Sequence, residues 1–239
     1  MAESIKEKFI TRLKGTGREG IGFFIEWLEN ETDFFEAPAS MNHHTNFRGG
    51  LLSHSWNVLQ HYESLIERMD LDDEMPYESI VIEALLHDVC KIRCYEENDE
   101  PASDKQISYL KDLLKQHGKK FNRQRIKDIT KRRASDLIQW IKEEPESDPP
   151  KPGINWRYND EFLPAGHGEK SVMIIQQFIE LKPREMLAIR WHMGPWEQGL
   201  TAGGTKLKSY RSACEMYPDV ELLYLADQQA TFQEDWKLR

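Results

Sequence analysis

The sequence predicts an all-α protein, and three observations lead there. Apolar residues recur at spacings of three and four along most of the chain, and period-two alternation is nowhere sustained. The content of 39% hydrophobic and 10% aromatic residues is ample for a packed core, which excludes a disordered chain. At 239 residues the chain is long enough for one large domain, or one domain and a small companion.

The elements follow in order. Glu3–Lys14 and Arg18–Asn30 read as short helices, followed by a loop, APASMNHHTNFRGG, that ends at Gly49-Gly50. Leu51–Met69 carries Val58, Tyr62, Leu65 and Met69 on one stripe. Tyr77 to about Ile92 is apolar almost all round, as expected of a buried helix. Residues 101–152 read as an insertion built on a helical hairpin. Ile107, Leu110 and Leu114 line its first helix, with Gly118 placed to end it; Thr130 is placed to N-cap the second, lined by Ala134, Leu137, Ile138 and Ile141. The Pro-rich stretch EEPESDPPKPG closes the insertion as a loop. Three helices complete the chain. One starts just past His167, one starts with Pro183 at a first-turn position and ends at Gly194, and one starts near Pro218-Asp219.

Charge is unevenly placed. Residues 104–142 carry twelve Lys/Arg against four Asp, a net of +8, which leaves −17 for the rest of a chain whose net charge is −9. A basic segment of this kind attracts a phosphate backbone, so nucleic acid is one expected partner through residues 104–142. A solvated helical face, or packing on the acidic remainder, accounts for the same charges. No apolar run is long enough to span a bilayer, no signal peptide is expected, and the three cysteines form no disulfide framework, so a cytoplasmic location without membrane attachment is expected. Cys90 and Cys94 lie four apart and read as small packed residues rather than ligands.

Against the apolar patterns stand His54, the pair His87-Asp88, His167, His192 and Asp227. An imidazole or carboxylate on a buried face needs a partner, and one divalent metal site would serve them all. Imidazole with carboxylate, and without thiolate, suits a hydrolytic centre better than a zinc finger. Ala84, His87, Asp88 and Lys91 share one face of the expected buried helix, and Lys91 would offer a point charge to an anion. Each residue alone has a plainer account: an Asp88–Lys91 ion pair, a hydrogen-bonded core histidine at His54, a salt bridge at Asp227. His61 reads as an ordinary hydrogen-bonded core histidine. Trp191 and Trp196 flank His192 as core aromatics or as a base-stacking wall.

The strings GGLLSHS around His54, ALLHDVCK around His87-Asp88 and LADQQA around Asp227 occur in an order that resembles the HD superfamily of metal-dependent phosphohydrolases. AGHGEKS at His167, AIRWHMG at His192 and the loop with His44 resemble a subgroup common in phage, prophage and related bacterial hydrolases, which carries two extra metal-binding histidines. The chain departs at Cys90, where the family usually has Gly, a change expected to affect packing more than chemistry. The resemblance covers about residues 34–99 and 153–235. It implies an HD-domain helical bundle in which His54, His87, Asp88 and Asp227 hold one ion. Asp88 would bridge to a second ion held by His167 and His192. On that reading Asp88 and Lys91 serve catalysis and Lys91 meets the phosphoryl oxygens, while His44 and Arg48, on the loop before His54, are candidates for phosphate contact or leaving-group protonation; Arg48 reads equally as an ordinary solvated arginine. Such a centre, loaded with Mn, Fe, Co, Ni, Zn or Mg, would activate water against a phosphoester of a nucleotide or related small molecule, as a phosphomonoesterase or phosphodiesterase. The GYP string of the cyclic-dinucleotide branch is absent. Two alternatives stay open: a nuclease that uses the basic hairpin as a nucleic-acid clamp, and a non-enzymatic nucleic-acid-binding or scaffold protein with a structural metal.

Overall fold

A computed structural model of the chain describes residues 3–41, 45–98, 100–119, 129–143, 146, 156–159, 165–196 and 204–237. The all-α expectation holds. In chain order the elements are α1 (Ile5–Gly15), α2 (Ile21–Asn30), α3 (Gly50–Arg68), α4 (Tyr77–Leu86), a 3-10 turn (Val89–Lys91), β1 (Tyr95–Glu97), α5 (Asp104–Gln116), α6 (Lys131–Glu143), β2 (Trp156–Tyr158), α7 (His167–Ile175), α8 (Pro183–Trp191), a second 3-10 turn (Gly194–Trp196), α9 (Thr205–Met216) and α10 (Asp219–Lys237). The two short strands pair with each other. Among the described residues no helix is long and apolar enough to cross a membrane.

The chain divides into two compact units, Met1–Tyr95 with Tyr158–Arg239, and Glu96–Arg157. In the first, α3 packs along α10 and against α4, and α8 packs against both α7 and α10. The core collects the apolar stripes of these helices, with Phe9, Phe24, Leu28, Leu59, Tyr62 and Leu85 fully buried. Helix α4 is buried along Ser79–Leu86, as its all-round apolar character requires. It nevertheless carries Glu83, which accepts a 2.6 Å hydrogen bond from the Tyr62 hydroxyl.

One boundary differs in a way that matters. The sequence places His87, Asp88 and Lys91 on a helix running to about Ile92, but α4 ends at Leu86 and Asp88 leaves helical geometry at φ −107°, ψ 16°. The cause is tertiary. Ser171 of α7 donates through its hydroxyl to the His87 carbonyl at 2.5 Å and accepts from the Cys90 amide at 3.1 Å. In a continuing helix those two groups would bond to the Lys91 amide and the Leu86 carbonyl. A neighbouring side chain thus replaces two rungs of the ladder, and the Lys91 amide turns back to the Asp88 carbonyl instead. Gly168 lets α7 approach the end of α8 closely, since a Cβ there would lie 2.2 Å from the Arg190 carbonyl oxygen.

Helix α9 has no counterpart among the sequence expectations. Only Tyr210 and Ala213 of its twelve residues are buried, with Leu207, Cys214 and Tyr217 partly buried beside them, a weak stripe at helical spacing among mostly polar residues. It is held by a small separate cluster in which Tyr210 meets Trp191 at 5.6 Å between ring centroids.

The second unit reaches beyond the expected 101–152 on both sides and has its own core of Leu110, Leu114, Ala134, Leu137 and Ile141. Its caps are those the sequence implies. Gly118 takes φ +63° and the Lys119 amide returns to the Leu114 carbonyl, while the Thr130 hydroxyl accepts from the Arg133 amide at 3.3 Å. The arrangement differs from a simple up-and-down hairpin. The segments entering α5 and α6 pair through Pro101 and Thr130, Gln106 meets Ser135 near the helix starts, and Lys119 meets Trp140 near their ends. The two helices therefore run in broadly the same sense.

Candidate metal centre

Four elements of the first unit bring buried polar side chains together. Helix α3 supplies His54, the junction after α4 supplies His87 and Asp88, the end of α8 supplies His192, and α10 supplies Asp227; all five are buried. His54 Nε2 lies 3.1 Å from Asp227 Oδ1 and 3.7 Å from Asp88 Oδ2. His87 Nε2 lies 3.4 Å from Asp88 Oδ2, and His192 Nε2 lies 3.5 Å from Asp88 Oδ1. Lys91 Nζ closes on Asp88 Oδ2 at 2.6 Å. The ring of His87 stands 5.5 Å from that of His54 and 5.0 Å from that of His192, between centroids.

All three imidazoles are oriented the same way. His87 Nδ1 is 2.8 Å from the Ala84 carbonyl oxygen, and His192 Nδ1 is 2.7 Å from the Ile189 carbonyl oxygen. His54 Nδ1 is 3.1 Å from Glu234 Oε2. A carbonyl or carboxylate oxygen only accepts, so each Nδ1 carries the proton, and the Nε2 of a neutral ring presents its lone pair to the centre. This is the arrangement in which histidines serve as metal ligands.

The donor set fits a cation. His87 Nε2 and His192 Nε2 are fully buried and make no directed hydrogen bond. Leaving such atoms unsatisfied is costly, and a shared ion removes that cost. Three buried carboxylates, Asp88, Asp227 and Glu234, converge here with Lys91 the neighbouring cation. Electrostatics hold Asp88 and Asp227 ionised and draw His54 toward its charged form. Burial pulls the His54 pKa down, but hydrogen bonds to Asp227 and Glu234 more than reverse it, to about 9. At Asp227 burial raises the pKa, but His54 outweighs it and holds the carboxyl at about 2. At Asp88 burial likewise raises the pKa, but Lys91 and His87 drive it well below the usual carboxylate range. His54, His87 and Asp227 offer ligand atoms all within 4.8 Å of one another, and this buried group could hold a metal ion.

The remaining expected residues divide. His167 opens α7, half-buried, with Nδ1 3.6 Å from Cys90 Sγ. That thiol in turn lies 3.8 Å from Asp88 Oδ1. Cys90 is expected from the sequence to affect packing more than chemistry; the structure places its thiol between Asp88 and His167, at the edge of the polar cluster. Burial pushes the Cys90 pKa up to about 12, so it stands there as a neutral thiol. Arg48 is exposed in the turn before α3, and His44 lies outside the described residues. Trp191 is a packed aromatic beneath the Arg190 guanidinium, not a stacking wall, whereas Trp196 is 71% exposed. His61 makes a 2.7 Å contact with Gln233, the ordinary role expected of it.

Sequence reading missed Glu234, Asn57 and Ser171. Glu234 lies seven residues after Asp227, on the stripe that Ala226, Asp227 and Ala230 define, so a second carboxylate on that stripe was the available signal. Asn57 and Ser171 act by hydrogen bonds to groups far away in sequence, which no local pattern announces. No family model, curated protein or solved structure matches the chain.

Proposed function

We propose that the protein is an HD-type metal-dependent phosphohydrolase that cleaves a phosphoester of a nucleotide or related small molecule. The observation that carries this reading is the set of three buried imidazoles, each with Nδ1 engaged and Nε2 turned toward Asp88 or Asp227. His54, His87, Asp88 and Asp227 would hold a first divalent ion. Asp88, His167 and His192 would hold a second, with His167 the outlying member beside Cys90. A divalent ion at such a centre acidifies water and polarises a phosphoryl oxygen. The chain's own residues do the rest. The Ala84 and Ile189 carbonyls and Glu234 fix the rings, and apolar neighbours exclude bulk water from the buried side. Lys91, 14% exposed at its side chain, holds positive charge where phosphoryl oxygens gain negative charge. Turnover of nucleotide monoesters and diesters by protein loaded with Mn or Co, lost in Asp88→Asn, tests the reading. Unchanged turnover and metal content in that variant would refute it.

The nuclease reading has one observation in its favour. In the second unit, Lys142 Nζ sits 5.2 Å over the Tyr109 ring and Lys119 Nζ 5.2 Å over the Trp140 ring. Cations interleaved with aromatics suit a single strand, with bases stacking where lysines now lie and phosphates meeting the displaced ammonium groups. Replacing Lys111, Lys115 and Lys142 by Glu would abolish strand cleavage and spare small-substrate turnover if the unit is a clamp. Strand cleavage that persists removes this alternative.

A further inference from the structure

Among the three imidazoles, His54 alone has its Nδ1 against a carboxylate; His87 and His192 rest on backbone carbonyls. The carboxylate belongs to Glu234, which is 7% exposed and lies about two turns beyond Asp227 on α10. One helix therefore presents both Asp227, at 3.1 Å from His54 Nε2, and the group that grips the other nitrogen of the same ring. Glu234 is itself fixed. Its Oε1 accepts a 2.7 Å hydrogen bond from Asn57 Nδ2, and Asn57 stands one turn after His54 on α3. A carboxylate at Nδ1 does what a carbonyl does, since it keeps the proton there and sets the ring plane. It adds a full negative charge, which makes Nε2 a stronger donor.

We infer that Glu234 is a positioning residue that sets the affinity of the centre for a divalent ion through His54, and that Asn57 holds it in place. The inference rests on the metal-centre reading. Among ring partners, Glu234 is the one that side-chain substitution can alter, because the other two rings lean on the main chain.

The test uses Co2+ as probe on the 239-residue chain. Glu234→Gln keeps a hydrogen-bond acceptor and removes the charge. It is expected to weaken Co2+ binding about 10- to 100-fold and to shift the visible absorption bands of the bound ion, with Co2+ stoichiometry at saturation unchanged. Asn57→Ala, which leaves the Glu234 charge in place, is expected to shift affinity in the same direction by less. His61→Ala, whose ring pairs with Gln233, is expected to change neither. Circular dichroism of each variant in chelator establishes that it folds. Parental affinity and parental absorption bands in Glu234→Gln would overturn the assignment while leaving the metal centre intact. Complete loss of Co2+ at saturation would make Glu234 a ligand and overturn it too. A parent chain that takes up no Co2+ overturns the metal centre, and this assignment with it.

Discussion

Asp88 is where the residues of the centre meet. Its two oxygens face His54, His87, His192 and Lys91, and the Cys90 thiol lies within 3.8 Å. Asp88→Ala is therefore expected to remove metal binding and turnover together. Lys91→Ala should retain metal and lower kcat by about 10²- to 10³-fold, the usual effect of deleting a group that stabilises developing charge. Elemental analysis run beside turnover separates these outcomes, and loss of metal in Lys91→Ala would mean that the lysine only braces Asp88. The imidazoles, Asp88 and Asp227 were legible one by one because each breaks an apolar pattern, whereas Glu234 on the same stripe as Asp227 was missed. The other orienting partners were not legible, because main-chain carbonyls at Ala84 and Ile189 leave no mark in a sequence. The same limit applies to Cys90. A change from the glycine of the resembled family is visible, but the position of the thiol beside His167 is not.

At the scale of elements, the helices that carry stripes were legible and the ending of α4 was not, since it is imposed by Ser171 from a helix some eighty residues away. Ser171→Ala leaves a buried amide at Cys90 without its acceptor and frees the His87 carbonyl. The expected cost is about 1–3 kcal/mol in stability with a loss of metal affinity, measured by urea unfolding and Co2+ titration. Helix α9 was missed because its stripe of Leu207, Tyr210, Ala213 and Cys214 is short and set among exposed polar residues. Helix α4 also brings Glu83 into a junction with Tyr62 of α3, Arg184 and Glu185 of α8 and Asp219 of α10, where Arg184 chelates Asp219 at 2.7 and 2.9 Å. Burial, and then the Asp219 carboxylate, raise the Glu83 pKa well above 4.5, against the opposing effect of the Tyr62 hydroxyl. The folded chain keeps this proton while the unfolded chain releases it. Stability is thus fully present below the unfolded value and falls as pH rises toward the folded one. Glu83→Gln should remove that decline, so urea midpoints of parent and variant should diverge in the variant's favour as pH rises above the ordinary carboxylate range. Parallel profiles would show that Glu83 is already ionised in the fold.

The whole molecule joins a unit that houses the centre to a smaller unit with its own core and caps. That division was legible as a change of charge, a net of +8 within an otherwise acidic chain, and its edges were less so because Glu96 and Arg157 lie outside the basic run. The direction of α5 relative to α6 was not legible either, since their sequence stripes are alike for parallel and antiparallel packing. The proposed function depends on the buried cluster, and its metal content tests that proposal most directly. After incubation with Mn or Fe and removal of free ion, elemental analysis of the parent should find at least one equivalent per chain, lost in Asp227→Ala and in His87→Ala. A parent that retains no metal, or an Asp227→Ala variant that retains all of it, would contradict the account at its centre.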